Sequence, residues 1–110
     1  MSITGKILAQ AELTTSAVAI YTVGASTTTK VTEIVVANGS DSVNSYVNIW
    51  FVKSGDSTAI KNKIIHKQTL LLGETIFLSM QTFLSTGDKI YAQAEANSVL
   101  GITVSGIEDA

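Results

Sequence analysis

The chain reads as all-β. We expect a single antiparallel β-sandwich of about eight strands, jelly-roll or immunoglobulin-like, with residues 1–110 forming one domain. Three observations predict it. Runs rich in Ile, Val, Leu and Thr recur every ~8–14 residues, a spacing typical of sandwiches and barrels. Within several runs apolar and polar residues alternate, the period of a strand with one buried face. Between the runs lie Gly, Asn, Asp, Ser and Thr, with Pro absent from the chain. No gap holds a 10–15-residue amphipathic helix, so an alternating parallel βαβ layout is not expected.

The first run is Lys6 to Leu13, in which Ile7, Ala9, Ala11 and Leu13 share one parity and Lys6, Gln10 and Glu12 the other. Helix is the competing reading here, because "GKILAQAEL" consists mostly of good helix formers. The second run is Ala17 to Val23. The third, Lys30 to Ala37, follows "GASTTT". "NGSDS" then signals a turn, and its Asn38–Gly39 pair tolerates positive φ. Ser45 to Lys53 is the fourth run, with Val47, Ile49 and Phe51 as an inward row and Tyr46, Asn48, Trp50 and Val52 on the other face. That second face is too apolar for a solvated one. It is either a contact surface or one side of a strand buried on both faces.

"SGDSTAIKN" makes a longer connection, where "DSTAIK" can form one helical turn capped by Asp56 or Ser57. The remaining runs are Lys63 to Leu71, Glu74 to Met80, Lys89 to Glu95 and Val99 to Ile107. Gly87–Asp88 turns the chain into the seventh run. There Ile90, Ala92 and Ala94 point inward and Tyr91 and Glu95 are left for solvent or a neighbour. Leu100, Ile102 and Val104 point inward from the last run.

Composition bounds the function. Apolar residues make up 45% of the chain and charged residues 15%, against about 25% charged in a typical soluble domain. Mean hydropathy is positive at +0.34, yet no apolar stretch approaches the ~20 residues of a spanning helix. Surface covered by other protein is the better account. The first 13 residues carry one Lys and no long apolar core, so no secretory signal is expected. Without Cys there is no disulfide or thiolate metal site. A small domain lacking such staples relies on its core or on oligomerisation. The seven basic residues are all Lys, and the net charge is −2. A nucleic-acid partner is therefore not expected.

Catalytic chemistry finds little support. The one histidine, His66, sits in "KIIHKQTLL" with no nucleophile motif, and is read as a solvated or core-edge side chain. The nine carboxylates are spread along the chain, mostly at turns or strand ends. The cluster in "NGSDS" lacks the ligand spacing of a calcium loop, and the phosphate-loop and dinucleotide glycine patterns are absent. No catalytic residue, metal or cofactor is expected. Tyr21, Tyr46, Trp50 and Tyr91 could make a sugar-stacking platform, but exposed aromatics on a sheet are also common protein anchors. Tyr46, Trp50 and Tyr91 are taken as the candidate protein contacts.

Several segments look familiar: "AIYTVGAS" at Ala19 to Ser26, "EIVVAN" at Glu33 to Asn38 and "LGET" at Leu72 to Thr75. "LSTGDKIYAQA" at Leu84 to Ala94 and "ITVSGIED" at Ile102 to Asp109 complete the set. Together they resemble small virion proteins of tailed bacteriophages, across most of the chain. One departure is Gly24, where those proteins usually carry Pro after "YTV"; the turn is kept and its stiffness lost. The resemblance implies a β-sandwich in a repeated place on the particle: head decoration or cement, or else a neck, tail or fibre part. It implies the major capsid protein or other virion proteins as partners, a homo-oligomer such as a trimer, and assembly into virions made in the bacterial cytoplasm. It carries no catalytic residues. A carbohydrate- or receptor-binding module is the reading from another class.

Overall fold

The computed structural model describes residues 3–110. It contains eight strands: β1 (Ile3–Glu12), β2 (Val18–Thr22), β3 (Thr28–Asn38), β4 (Ser45–Val52), β5 (Lys63–Leu70), β6 (Thr75–Leu84), β7 (Lys89–Ala94) and β8 (Leu100–Asp109). Both sheets are four-stranded and antiparallel, with orders β1-β8-β3-β6 and β2-β7-β4-β5. The pairings nest: β4 with β5, β3 with β6, β2 with β7 and β1 with β8. That is one long hairpin rolled over on itself, the strand order of a jelly roll. The segment "KILAQAE" is strand, not helix.

The core lies between the sheets. Ile34, Val36, Ile102 and Val104 from one sheet face Val47, Ile49, Ile90 and Ala92 from the other, all buried. Inward rows run straight across four strands, as in Ala9–Val104–Ile34–Leu78 and Ala11–Ile102–Val36–Ile76. Phe51 is only partly buried, packed at the rim of this core.

Register shifts alter two expectations. The β1 ladder skips at Leu8: Ile7 pairs with Ser105 while Ala9 pairs with Val104. A skip of one residue exchanges the two faces of a strand. Ile7 therefore points out, 56% exposed, although it shares parity with buried Leu13. The sixth strand also runs four residues past Met80, to Leu84.

Local turn chemistry differs from expectation at two places. Neither Asn38 nor Gly39 adopts positive φ; the left-handed conformation occurs at Ser26, Lys67, Ser98, Gly55, Gly73 and Gly87. Asn38 is buried and serves as a latch. Its amide donates to the carbonyls of Val43 (2.9 Å) and Leu70 (3.1 Å), and its carbonyl accepts the Ser40 N–H at 2.9 Å. The helical turn forms at Ile60–Asn62, and no Asp56 or Ser57 side chain caps it. Asn62 closes it instead, accepting from the Ala59 N–H (2.9 Å) and donating to the Ser57 carbonyl (3.0 Å).

The Gly87–Asp88 turn is a junction. Asp88 accepts from the Ser85 N–H at 2.8 Å within the turn and from the Ser54 N–H at 3.0 Å in another loop. Gly87 has φ 85°, and a side chain there would strike Ser54.

Two glycines on β8 provide a test of packing. A methyl group on Gly106 would run into the Lys30 carbonyl and Leu8, whereas one on Gly101 meets nothing closer than 4.0 Å. Gly106→Ala should cost about 1–3 kcal/mol in urea unfolding, as overpacking typically does. Gly101→Ala should cost less than about 0.5 kcal/mol. Equal costs would contradict the close approach of β8 and β3.

Candidate functional site

Each sheet has an outer face, and the two differ. On the β2-β7-β4-β5 sheet the row Ala19–Tyr91–Trp50–Lys63 crosses all four strands. The expected contact residues are thus brought together: Trp50 and Tyr91 are direct cross-strand partners, and Tyr46 lies on the same face of β4. This face is largely closed within the chain. The Lys63 ammonium sits 5.1 Å above the Trp50 ring and the Lys67 ammonium 5.5 Å above Tyr46, within the ~6 Å of a cation–π contact. Trp50 is only 8% exposed. Of the two readings that parity left open for β4, burial on both faces is the one observed.

The cover comes from the irregular shape of β5. Its ladder against β4 is broken twice, and Lys67 takes a left-handed φ of 46°. Asn48, itself buried, stabilises this break. Its carbonyl accepts the Lys67 N–H at 2.8 Å, and its amide donates to Gln93 at 3.1 Å. His66 lies on the exposed rim of the break, where its Nδ1 accepts from Lys63 at 2.7 Å.

The outer face of the β1-β8-β3-β6 sheet is open. Its rows read Gly5–Ile107–Lys30–Phe83, Ile7–Ser105–Glu33–Ser79, Gln10–Thr103–Val35–Phe77 and Glu12–Gly101–Ala37–Thr75. Phe77 and Phe83 are two-thirds exposed, and Ile3 and Ile7 more than half exposed. The only cation over a ring here is Lys30, 5.8 Å from Phe83 among the described residues. Shallow depressions lie along this face, one between Ile3, Thr28, Lys30, Phe83 and Ile107 and another along Gln10, Val35, Ala37 and Thr103.

Phe77 and Phe83 were not among the contact candidates read from sequence. The signal that could have found them is their shared parity within "TIFLSMQTFL", visible only if the strand is carried on to Leu84.

One polar cluster closes the end of the sandwich. Tyr21 reaches across between the sheets, donating to Glu108 and accepting from Thr29 at 2.8 Å, while Lys6 pairs with Glu108 at 2.6 Å. Burial, reinforced by the neighbouring carboxylate, pushes the Tyr21 hydroxyl up to about 12. The Lys6 ammonium, with help from Tyr21, holds the Glu108 carboxyl below its usual value. These bonds tie β2 to the opposite sheet. Among the described residues no group of His, Asp and Glu is placed to hold a metal ion.

No protein-family model and no curated protein matches the chain.

Two measurements check this description. Trp50→Ala should cost about 3–5 kcal/mol, as a buried aromatic does, whereas Phe83→Ala should cost less than about 1 kcal/mol in the same urea titration. The pH dependence follows from Tyr21. Its hydroxyl titrates higher folded than unfolded, so the stability it contributes is intact below pH ~10 and lost as pH rises through about 12. Glu108 acts oppositely, its share being lost as pH falls through its lowered folded value. Alkaline unfolding curves should flatten in Tyr21→Phe.

Proposed function

We propose that the protein is a structural component of a tailed-bacteriophage virion, a head decoration or cement protein that binds and stabilises the capsid lattice. The observation that carries this reading is the open apolar face of the β1-β8-β3-β6 sheet. Ile3, Ile7, Val35, Phe77, Phe83 and Ile107 share it with only four charged residues, Glu12, Lys30, Glu33 and Asp109. A broad apolar patch on a small protein marks a contact site. The low charge of the chain and its resemblance to small virion proteins point the same way.

The mechanism is additive contact. Each copy docks its sheet face on the major capsid protein or a neighbouring virion protein. Many copies, each weakly bound, hold adjoining subunits together by avidity. The jelly roll supplies a stiff plate with its core sealed behind it. No residue is assigned a chemical step. Fold likeness alone carries no function, so the weight rests on the face and not on the topology.

Mass spectrometry of gradient-purified particles should find the protein at a copy number matching a capsid lattice position. Ile7→Glu, which changes an exposed side chain and leaves the core intact, should lower occupancy roughly tenfold or more, because docking would bury an unpaired charge. A few copies at one pole would instead make it a neck, tail or fibre part. Absence from particles would sink the virion reading.

A further inference from the structure

The edge of a sheet is an open row of backbone donors and acceptors, and folded proteins protect such edges with charge, bulges, Pro or shortness. Four strands lie at edges here: β1, β6, β2 and β5. Three are protected. β2 has only five residues. β5 carries Lys63 and Lys67 and two breaks in its ladder. β1 carries Lys6 and Glu12 and a skip at Leu8.

β6 lacks charge, Pro and shortness, and its one irregularity lies in its ladder with β3. Its ten residues, "TIFLSMQTFL", include no charge, no Pro and no Gly. One register shift separates it from β3. Along β6 itself, exposed and partly buried residues nonetheless alternate without a break from Thr75 to Phe83. Such an edge is fit to receive another strand.

The exposed row also says which strand. From one end to the other it reads Phe77, Ser79, Gln81, Phe83: a ring, two polar side chains, a ring. The row is self-complementary about Met80. Antiparallel pairing that sets Phe77 of one copy opposite Phe83 of another also sets Ser79 opposite Gln81. Every opposed pair in this register has matching parity, so outward residues meet outward residues and inward meet inward. A two-fold contact requires this kind of self-matching surface.

We propose that two copies of the chain pair through β6, antiparallel and centred on Met80, joining their four-stranded sheets into one sheet of eight strands. Backbone hydrogen bonds supply the ladder. Phe77 and Phe83 form two symmetric cross-strand aromatic pairs, a favourable arrangement in antiparallel sheets. Two exposed rings per copy are thereby covered. The pairing rests on β6 alone and stands whether or not the protein belongs to a virion.

Light scattering on the purified chain should give twice its 11.6 kDa mass at micromolar concentration. In Ser79→Lys/Gln81→Lys, four lysines crowd the centre of the contact, and the mass should drop to that of a single chain. A wild-type protein at single-chain mass, or at a trimer's, would overturn the proposal, as would a double-lysine variant that keeps the dimer mass.

Register is tested separately. The chain has no Cys, so introduced thiols report cleanly. Positions 77 and 83 of one chain lie about 20 Å apart at ~3.3 Å per residue, too far to bridge internally. Phe77→Cys/Phe83→Cys should oxidise to a covalent dimer, and neither single variant should. A dimer from either single variant, or none from the double variant, would count against this register.

Discussion

A β-strand has two faces, and a slip of one residue exchanges them. In this protein the register of each ladder decides what is core and what is surface. Where a ladder runs without a break, as in the pairing of β7 with β4, Ile90, Ala92 and Ala94 face inward and the intervening residues outward. Where one skips, the assignment changes. The skip in β1 puts Ile7 on the outer face. The shift in β3 between Val31 and Glu33 lets Lys30 and Val35 both point outward while Val31 and Ile34 stay in the core. The apolar outer plate is therefore a product of register as much as of composition.

The two outer faces use the same few cations differently. Three of the seven lysines lie over aromatic rings. Two of these cover Tyr46 and Trp50, on a strand already sealed from behind. Their alkyl stems add apolar cover while their ammonium groups reach solvent. This buries Trp50 and leaves Tyr46 and Tyr91 only partly exposed. The other sheet has one such lysine, over one edge of the plate, and its rings remain open. An aromatic residue on an outward parity is thus not yet an exposed one. What matters is whether a long side chain from the next strand can lie across it.

Much of this was legible in the chain itself. All eight strands fall on runs marked by parity and turn residues, and the inward rows of β4, β7 and β8 follow directly from period two. The exposed apolar face was harder to see. Trp50 stands on the outward parity, but its cover depends on a break in β5 that no local signal announces; the Asn48 side chain that stabilises it sits on a different strand. Phe83 lies beyond Met80, where the run looked finished, because "QTFLSTGD" reads equally well as a strand end or a loop. The turn at Asn38–Gly39 shows the same limit. The pair has the chemistry for a left-handed turn, yet burial recruits Asn38 as a hydrogen-bonding latch.

The nested pairing has a consequence in time. β8, synthesised after the other seven strands, lies between β1 and β3 and makes the ladder on both sides. Ile3 finds its partner only when Asp109 exists. Until then one sheet is split down its middle, and β1 has no partner strand at all. This sheet must wait until β8 has been made, then close its most distant contacts. During that interval the nascent chain carries more unpaired backbone than the finished protein, a burden borne by the translating cell rather than by the mature molecule.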